Sequence, residues 1–311
     1  MLHEILTNQA ILAPQIEYLV FLQNLRTPEL DVVFLNITKL AESIVPYIFV
    51  SLCYWLIDKK SGFILFTALQ LGMMTKDLLK ELAFVKRPWI LSDKVEPVKA
   101  AVAHAPGYSF PSGHTVRGIT AISGISIATW KNKFLSLFFI LLGFAVLFSR
   151  NYLGVHTPQD VIIGCLFSII YIFTVSKFIN WIDKKEKGYL IFGGAVLVLA
   201  VLVVSCILSG IIKEEIMSYY SELTLLAGVC LGYYVDKKYI KYEVPKTQWY
   251  IKFIVAIIGI ICMYTLTHAI YFAVSGTFFD LYKRVILYFF LSIFSTIIYP
   301  IVIKMCIKNR V

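Results

Sequence analysis

Long apolar segments recur along the whole chain and are separated by short polar connections. The segments with the length and apolar character of membrane-crossing helices are 37–57, 62–79, 115–130, 134–149, 159–178, 189–212, 220–235, 249–274 and 281–306. The stretch between the second and third of them, residues 80–114, is far longer than a usual connection between helices. This pattern predicts an all-α fold, a polytopic bundle of transmembrane helices.

The segment 8–35 differs from the others because charged residues interrupt it. These residues are Glu17, Arg26, Glu29 and Asp31. We interpret the segment as an amphipathic helix in the membrane interface rather than as a further span. The predicted organisation is therefore an N-terminal interfacial segment (1–36), a transmembrane core (37–180) and additional C-terminal transmembrane helices (181–311).

Composition agrees with a membrane protein. Of the 311 residues, 59% are hydrophobic and only 15% are charged, and the mean hydropathy is +0.78. The net charge of +10 could indicate nucleic acid as a partner. The lysines, however, lie at the ends of apolar segments, so we expect membrane lipids as partners and no nucleic acid. The cysteines lie in or beside apolar segments without CxxC spacing, which predicts neither disulfides nor zinc ligands.

Basic residues mark alternate connections and predict the orientation. The tripeptide DKK occurs at 58–60, 183–185 and 236–238, and Lys131 and Lys133 lie in another connection of the same set. With the spans above, these residues fall on one side, which the positive-inside rule assigns to the cytoplasm. We therefore expect a multi-pass protein of the cell membrane whose long loop 80–114 faces the extracytoplasmic side. Each DKK is interpreted as an interfacial anchor.

On that outer side the polar residues form three groups at helix ends. They are KELAFVKRP after the second span, PSGH before the third, and SRNYLGVHTPQD between the fourth and fifth. Helices that enter and leave at one surface can bring such groups together. We therefore predict a single polar pocket, although charged residues at helix ends are often simple anchors.

The PSGH group has the residues of a phosphate cradle. Gly113 permits close approach of the backbone to a ligand, and the start of the following helix offers unpaired N–H groups. Ser112 adds a hydroxyl donor and His114 a proton donor. The alternative is an ordinary capped helix start with a bystander histidine. Arg117, one turn later, either supplements the cradle or forms a structural ion pair.

The third group pairs a histidine with a carboxylate. His156 and Asp160 are four residues apart and would lie on one face of a helix. A carboxylate bonded to one imidazole nitrogen leaves the other nitrogen as a nucleophile. Arg150 can hold phosphate oxygens bidentately, and Lys80 and Arg87 could project to the same side. A His–Asp metal site is poorly supported, because no further ligand accompanies the pair and nearby cations would repel a metal.

These residues resemble the three-part motif of the type 2 phosphatidic acid phosphatase (PAP2) superfamily, in its membrane lipid phosphatase branch. The matching elements are Lys80 with Arg87-Pro88, then Pro111-Ser112-Gly113-His114, then Ser149-Arg150 with His156 and Asp160. The resemblance covers about residues 37–178. It implies metal-independent hydrolysis without a cofactor through a phosphohistidine, with His156 as nucleophile, Asp160 orienting it and His114 as the acid. It also implies a set of phosphate-binding residues: Lys80, Arg87, Ser112, Gly113 and Arg150.

The expected substrate is a lipid phosphate, such as phosphatidate, a sphingoid-base phosphate or a polyprenyl pyrophosphate, because the lipid tail could stay among the helices. Two alternatives remain open, a lipid phosphotransferase and a non-catalytic lipid-phosphate transporter or binding protein. A GxxxG pattern at Gly228 and Gly232 leaves a homodimer open. We expect His268 to be buried and hydrogen-bonded, and we place three glutamates in a solvated outer loop: Glu214, Glu215 and Glu222.

Overall fold

The computed structural model describes residues 2–185, 217–277 and 280–308, with a few single positions between the first two ranges. Within these ranges the regular elements are helices, which confirms the predicted all-α fold. The predicted span 189–212 lies almost wholly outside the described residues, as do Glu214 and Glu215.

The helices are numbered here in chain order. The first are α1 (Leu2–Leu6), α2 (Gln9–Asn24), α3 (Pro28–Lys39) and α4 (Val45–Leu52), the last continuing as a π-helical turn over Cys53–Ile57. The next are α5 (Lys59–Ala83), α6 (Pro88–Leu91), α7 (Lys99–Val102), α8 (Gly113–Arg117), α9 (Ser126–Thr129), α10 (Lys133–Tyr152) and α11 (Pro158–Ile182). The last are α12 (Met217–Val235), α13 (Trp249–Val274), α14 (Lys283–Ile293) and α15 (Tyr299–Lys308).

Five helical segments among the described residues are long and apolar enough to cross a membrane, which confirms a multi-pass membrane protein. They are Lys59–Leu91, Lys133–Tyr152, Pro158–Ile182, Trp249–Val274 and Lys283–Ile307. Each contains or overlaps a predicted span. The predicted span 220–235 is helical, as α12, but is not one of the five. This helix is less apolar than the five segments because it contains several tyrosines and serines and Glu222.

The prediction of one continuous span over 37–57 was wrong. Helix α3 ends at Lys39, and α4 begins only at Val45. The turns between them are closed by backbone bonds, including Leu40 N–H to the Ile37 carbonyl at 3.1 Å. Ser43 in this turn has a left-handed backbone (φ 47°), a conformation that a continuing right-handed helix does not use.

The predicted span 115–130 is helical from Gly113 to Thr129, but it is not a regular α-helix and is not one of the five segments. Helix α8 becomes a π-helical turn at Gly118 and then a 3-10 turn at Ser123. This irregular stretch packs closely on α10: a Cβ added to Gly143 would lie only 2.1 Å from the Ser123 hydroxyl. The Ser123 hydroxyl donates to the Ile140 carbonyl at 3.2 Å. The local backbone thus departs from an α-helix where the two segments come together.

The described chain forms two compact units, and the first consists of Met1–Pro46 and Leu71–Ile172. In this unit the end of α10 and the residues after it pack on α7 and the turn that follows α7. The buried apolar cluster between them consists of Ala101, Ala105, Tyr152, Leu153 and Val155. Helix α2 buries Leu12, Ile16, Leu19 and Leu22, which recur at helical spacing and therefore form one face. Its position in the membrane interface stays a prediction, as does the three-part division of the chain.

The second unit consists of Tyr47–Gln70 and Phe173–Val311. Its GxxxG pattern serves packing within the chain, because added Cβ atoms at Gly228 and Gly232 would lie 1.8 Å from the hydroxyls of Ser292 and Thr296. The homodimer stays a prediction that this contact does not address.

The DKK segments of the second unit are more than separate anchors, because they pair with one another. Lys59 contacts Asp236 at 2.6 Å, and Asp183 contacts both Lys60 at 2.7 Å and Lys237 at 3.1 Å. Asp236 is fully buried, so its pairing with Lys59 offsets a desolvation cost that an isolated carboxylate would carry.

Candidate active site

All candidate site residues lie in the first compact unit, at the ends of its helices. Lys80 lies in the last turn of α5, and Arg87 precedes α6. Ser112 caps α8, which begins with Gly113 and His114. Arg150 lies in the last turn of α10, and Asp160 lies in the first turn of α11, four residues after His156.

The structure brings His156 and Asp160 together as predicted. The His156 Nδ1 lies 3.3 Å from the Asp160 Oδ2, and both side chains are almost completely buried. The same oxygen accepts the Ser109 hydroxyl at 2.5 Å and the Thr157 N–H at 2.8 Å. Three donors on one oxygen fix the carboxylate in place. Ser109 is a site residue that the sequence analysis missed, because it lies outside all three motif groups.

Arg87 fixes the tautomer of His156. Its Nη1 lies 2.9 Å from the His156 Nε2. A guanidinium only donates, so Nε2 is the unprotonated acceptor and Nδ1 carries the proton toward Asp160. The unshared electron pair of Nε2 therefore points at Arg87, toward the cationic side of the pocket.

Burial and nearby charge keep His156 neutral. Burial lowers the pKa of His156 most, and four neighbouring groups lower it further: Arg87, Arg150, Lys80 and His114. A neutral imidazole is the nucleophilic form. These four groups belong to all three motif groups, and Arg87 contacts the ring directly.

Arg87 and Arg150 differ in how many of their N–H groups are already hydrogen-bonded within the protein. Arg87 also bonds the carbonyls of Gly107 at 3.0 Å, Pro106 at 2.8 Å and Val155 at 3.0 Å. Arg150 donates from Nη1 to the Thr38 hydroxyl at 2.5 Å, but its buried Nε and Nη2 have no partner. Buried unpaired donors on a cation are costly unless an anion binds them. Arg150 therefore offers the open side of the fork predicted for phosphate.

The PSGH group joins the third group through its backbone. The Ser112 N–H donates to the Asp160 carbonyl at 3.0 Å, and the Ser112 hydroxyl accepts the Thr115 N–H at 3.4 Å as an N-cap. A Cβ at Gly113 would lie 3.3 Å from the Lys76 side chain, so a larger residue there would need Lys76 to shift. Lys80 is held by the Tyr108 carbonyl at 2.6 Å.

His114 has a carboxylate partner that the sequence analysis did not anticipate. Its Nε2 lies 3.2 Å from the Glu42 Oε1. Burial lowers the pKa of His114 to about 3, with a further contribution from Arg150, and Glu42 opposes that shift. Arg117 also lowers the pKa of His114. Its two predicted roles, a supplement to the cradle or a structural ion pair, both stay predictions.

The other candidate side chains lie apart from this arrangement. His268 bonds the Tyr264 carbonyl at 3.0 Å but is exposed, so the prediction that it is buried was wrong. Glu222 is only 3% exposed within α12, so its placement in a solvated loop was also wrong. Among the described residues, no three His, Cys, Asp or Glu side chains converge as a metal would require.

Fold and site together define a multi-pass membrane protein with a buried histidine–aspartate pair among cationic side chains. Residues 61–184 match the family described as the PAP2 superfamily. Residues 220–309 match the family described as PAP2 superfamily phosphatase, transmembrane extension. The chain belongs to the PAP2 superfamily, which confirms the resemblance read from its motifs.

Three named relatives are similar to parts of the chain. A probable sphingosine-1-phosphate phosphatase of Dictyostelium discoideum is 25% identical over 70% of this chain and 56% of its own length. The undecaprenyl-diphosphatase BcrC of Bacillus subtilis (strain 168) is 29% identical over 48% of this chain and 75% of its own length. Phosphatidylglycerophosphatase B of the same organism is 34% identical over 34% of this chain and 53% of its own length. The chain thus spans only about half the length of two of these relatives.

Proposed function

We propose that this chain is an integral-membrane, metal-independent phosphatase that hydrolyses a lipid phosphomonoester or pyrophosphate through a phosphohistidine. The observation that carries the proposal is the fixed tautomer of His156, whose Nε2 lies 2.9 Å from Arg87 while its Nδ1 faces Asp160 at 3.3 Å. His156 is the nucleophile, Asp160 orients it, and His114 is the acid. The phosphate is held by Lys80, Arg87, Ser112, Gly113 and Arg150.

In the first step, the His156 Nε2 attacks phosphorus in line with the leaving oxygen. For this attack, the Arg87 N–H that is hydrogen-bonded to Nε2 must turn to a phosphate oxygen instead. The electron pair of Nε2 is then free. The N–P bond forms, the P–O bond breaks, and His114 gives its proton to the leaving oxygen. In the second step, water attacks phosphorus and gives a proton to His114, the N–P bond breaks, and inorganic phosphate leaves.

The substrate class follows from the membrane location of the site. A phosphate presented by a lipid can enter the polar pocket while its tail stays in the bilayer. The names of the relatives give three head groups to compare: sphingosine 1-phosphate, undecaprenyl diphosphate and phosphatidylglycerophosphate.

The proposed position of the site is the extracytoplasmic face of the cell membrane. Helix α10 begins beside the basic turn that contains Lys131 and Lys133, and its last turn carries Arg150. The positive-inside rule assigns that basic turn to the cytoplasm, so the Arg150 end would lie on the outer side.

Phosphate release from the purified protein in detergent tests this function. The three head groups above and phosphatidate serve as substrates, with EDTA present, and we expect at least one to release phosphate. His156→Ala should abolish turnover, whereas His268→Ala, at an exposed histidine of α13, should leave it unchanged.

Three results would contradict the proposal. Loss of phosphate release in EDTA would contradict the metal-independent mechanism, and wild-type turnover by a folded His156→Ala protein would remove its nucleophile. Phosphate that appears on an added acceptor lipid, rather than in water, would identify the phosphotransferase instead.

A further inference from the structure

A carboxylate from outside the three motif groups reaches the proposed acid. The Glu42 Oε1 accepts a hydrogen bond from the His114 Nε2, with 3.2 Å between the two atoms. The Glu42 Oε2 lies 3.3 Å from the Nδ1 of His104. The Glu42 and His114 side chains are 17% and 11% exposed, so their contact is shielded from solvent, whereas the His104 side chain is 54% exposed. Both oxygens of Glu42 are therefore used by histidines.

The backbone of the turn between α3 and α4 places this carboxylate. Ser43, directly after Glu42, has a left-handed backbone (φ 47°), which is uncommon for a residue with a side chain. Thr38, just before the same turn, accepts the Arg150 Nη1 at 2.5 Å. The end of α3 and the turn after it thus contact two side chains of the proposed site, which indicates that this geometry serves the site.

Charge at this position is retained rather than neutralised. Burial alone would raise the pKa of Glu42, but the hydrogen bond from His114, interactions with the His114 and His104 rings and the charge of Arg150 bring it below its usual value. Glu42 is therefore an anion at neutral pH. An anion hydrogen-bonded to an imidazole favours the protonated ring.

We propose that Glu42 is the positioning residue of His114, as Asp160 is for His156, an inference that rests on the proposed function. Glu42 accepts a hydrogen bond from Nε2–H, so Nδ1 is the nitrogen that gives its proton to the leaving oxygen. The ring then returns to neutral with Nε2–H still bonded to Glu42. Water attack later restores the Nδ1 proton, so no further proton donor is needed.

A different role for Glu42 would be to occupy the phosphate position until substrate enters. The contacts of Arg150 argue against this role. A carboxylate in the phosphate position would satisfy the open side of the guanidinium, yet the buried Nε and Nη2 of Arg150 have no partner. Glu42 instead directs both oxygens at histidines.

The test compares two substrates that differ in their need for an acid. The leaving group of lysophosphatidate is an alkoxide, which needs protonation. The leaving group of p-nitrophenyl phosphate is p-nitrophenolate, which is stable as an anion. For Glu42→Gln we expect kcat on lysophosphatidate to fall by about 100-fold, within the range that a general acid contributes. The loss on p-nitrophenyl phosphate should be much smaller. The alkaline limb of the kcat profile for lysophosphatidate should move to lower pH, because the ring loses its proton more easily.

Two further variants control for structure. Glu42→Asp keeps the charge and should recover part of the lysophosphatidate activity. Glu29→Gln, an exposed position in the first turn of α3, should match wild type on both substrates. Thermal unfolding in detergent should give similar transitions for all variants.

Three outcomes would overturn the inference. Equal losses on both substrates with an unmoved pH profile would show a packing role only. Faster turnover or a lower KM for Glu42→Gln would show that the carboxylate occupies the phosphate position. Activity equal to that of Glu29→Gln on both substrates would remove any role. A wild-type protein that releases no phosphate would instead overturn the proposed function, and this role with it.

Discussion

At the scale of single residues, the two arginines of the site are organised for different tasks. Arg87 gives its N–H groups to three backbone carbonyls and to His156, so it holds the loop and the nucleophile together. Arg150 keeps Nε and Nη2 without a partner in a buried position. A phosphate with its three terminal oxygens would accept hydrogen bonds from both groups at once. A lysine ammonium in place of Arg150 could not offer this planar pair of donors.

We therefore predict that Arg150→Lys loses most of the activity although it keeps the charge. Removing one preorganised donor from a transition state typically costs about 10²–10³ in kcat, and we expect a loss in that range. Steady-state phosphate release measures it. The matched control is Arg26→Lys, which alters an arginine bonded to the Tyr152 carbonyl at 2.9 Å and not to the proposed site. Equal activity of the two variants would contradict the role of the fork.

His114 raises a question of protonation that its burial makes testable. A histidine whose pKa is about 3 is neutral at pH 7. A bound dianion would neutralise the cations that oppose protonation, so the pKa of His114 should rise when the anion binds. In the pH range between the two pKa values, binding is then linked to proton uptake.

Binding of sulfate, which does not titrate near neutral pH, should accordingly take up about one proton per site at pH 7. Isothermal titration calorimetry in two buffers with different ionisation enthalpies measures this number. His114→Gln should abolish the uptake, whereas His156→Gln should retain it if His114 is the group that gains the proton. Sulfate binding by the wild-type protein without proton uptake would contradict an acid role for His114.

At the scale of helices, apolar patterning predicts where the chain enters the membrane but not where a helix breaks. The segment 37–57 is apolar enough to pass as one span, yet Glu42 and the turn around Ser43 divide it. The sequence does contain a signal at this position. A charged residue such as Glu42 inside an apolar segment is by default a candidate for a functional site.

The histidines and cations of the site could be predicted because each motif group is local in sequence. The contributions of Thr38 and Glu42 could not, because they arise only from tertiary contacts. Thr38 is 112 residues from Arg150, and Glu42 is 72 residues from His114. Ser109 lies near the PSGH group in sequence, but nothing local distinguishes its hydroxyl from that of any loop serine.

At the scale of the whole molecule, the length and flanking charges of α10 predict which face of the membrane carries the site. Helix α10 has 20 residues and is therefore about 30 Å long, enough to separate the two faces. Lys131 lies just before its first turn, in an exposed connection. At its other end, the Val98 N–H donates to the Leu153 carbonyl at 3.0 Å, so the exposed Lys99 lies near the site end of the helix.

Cysteine labelling at these two lysines decides the orientation. A membrane-impermeant maleimide should label Lys99→Cys in intact cells and Lys131→Cys only after permeabilisation, because the positive-inside rule puts the basic turn in the cytoplasm. The wild-type protein gives the background from its own cysteines, of which Cys306 is exposed, and phosphate release confirms that both variants are folded. The reverse pattern would place hydrolysis in the cytoplasm. Equal labelling in intact cells would mean that α10 does not separate the two faces of the membrane, and the predicted orientation would then be wrong.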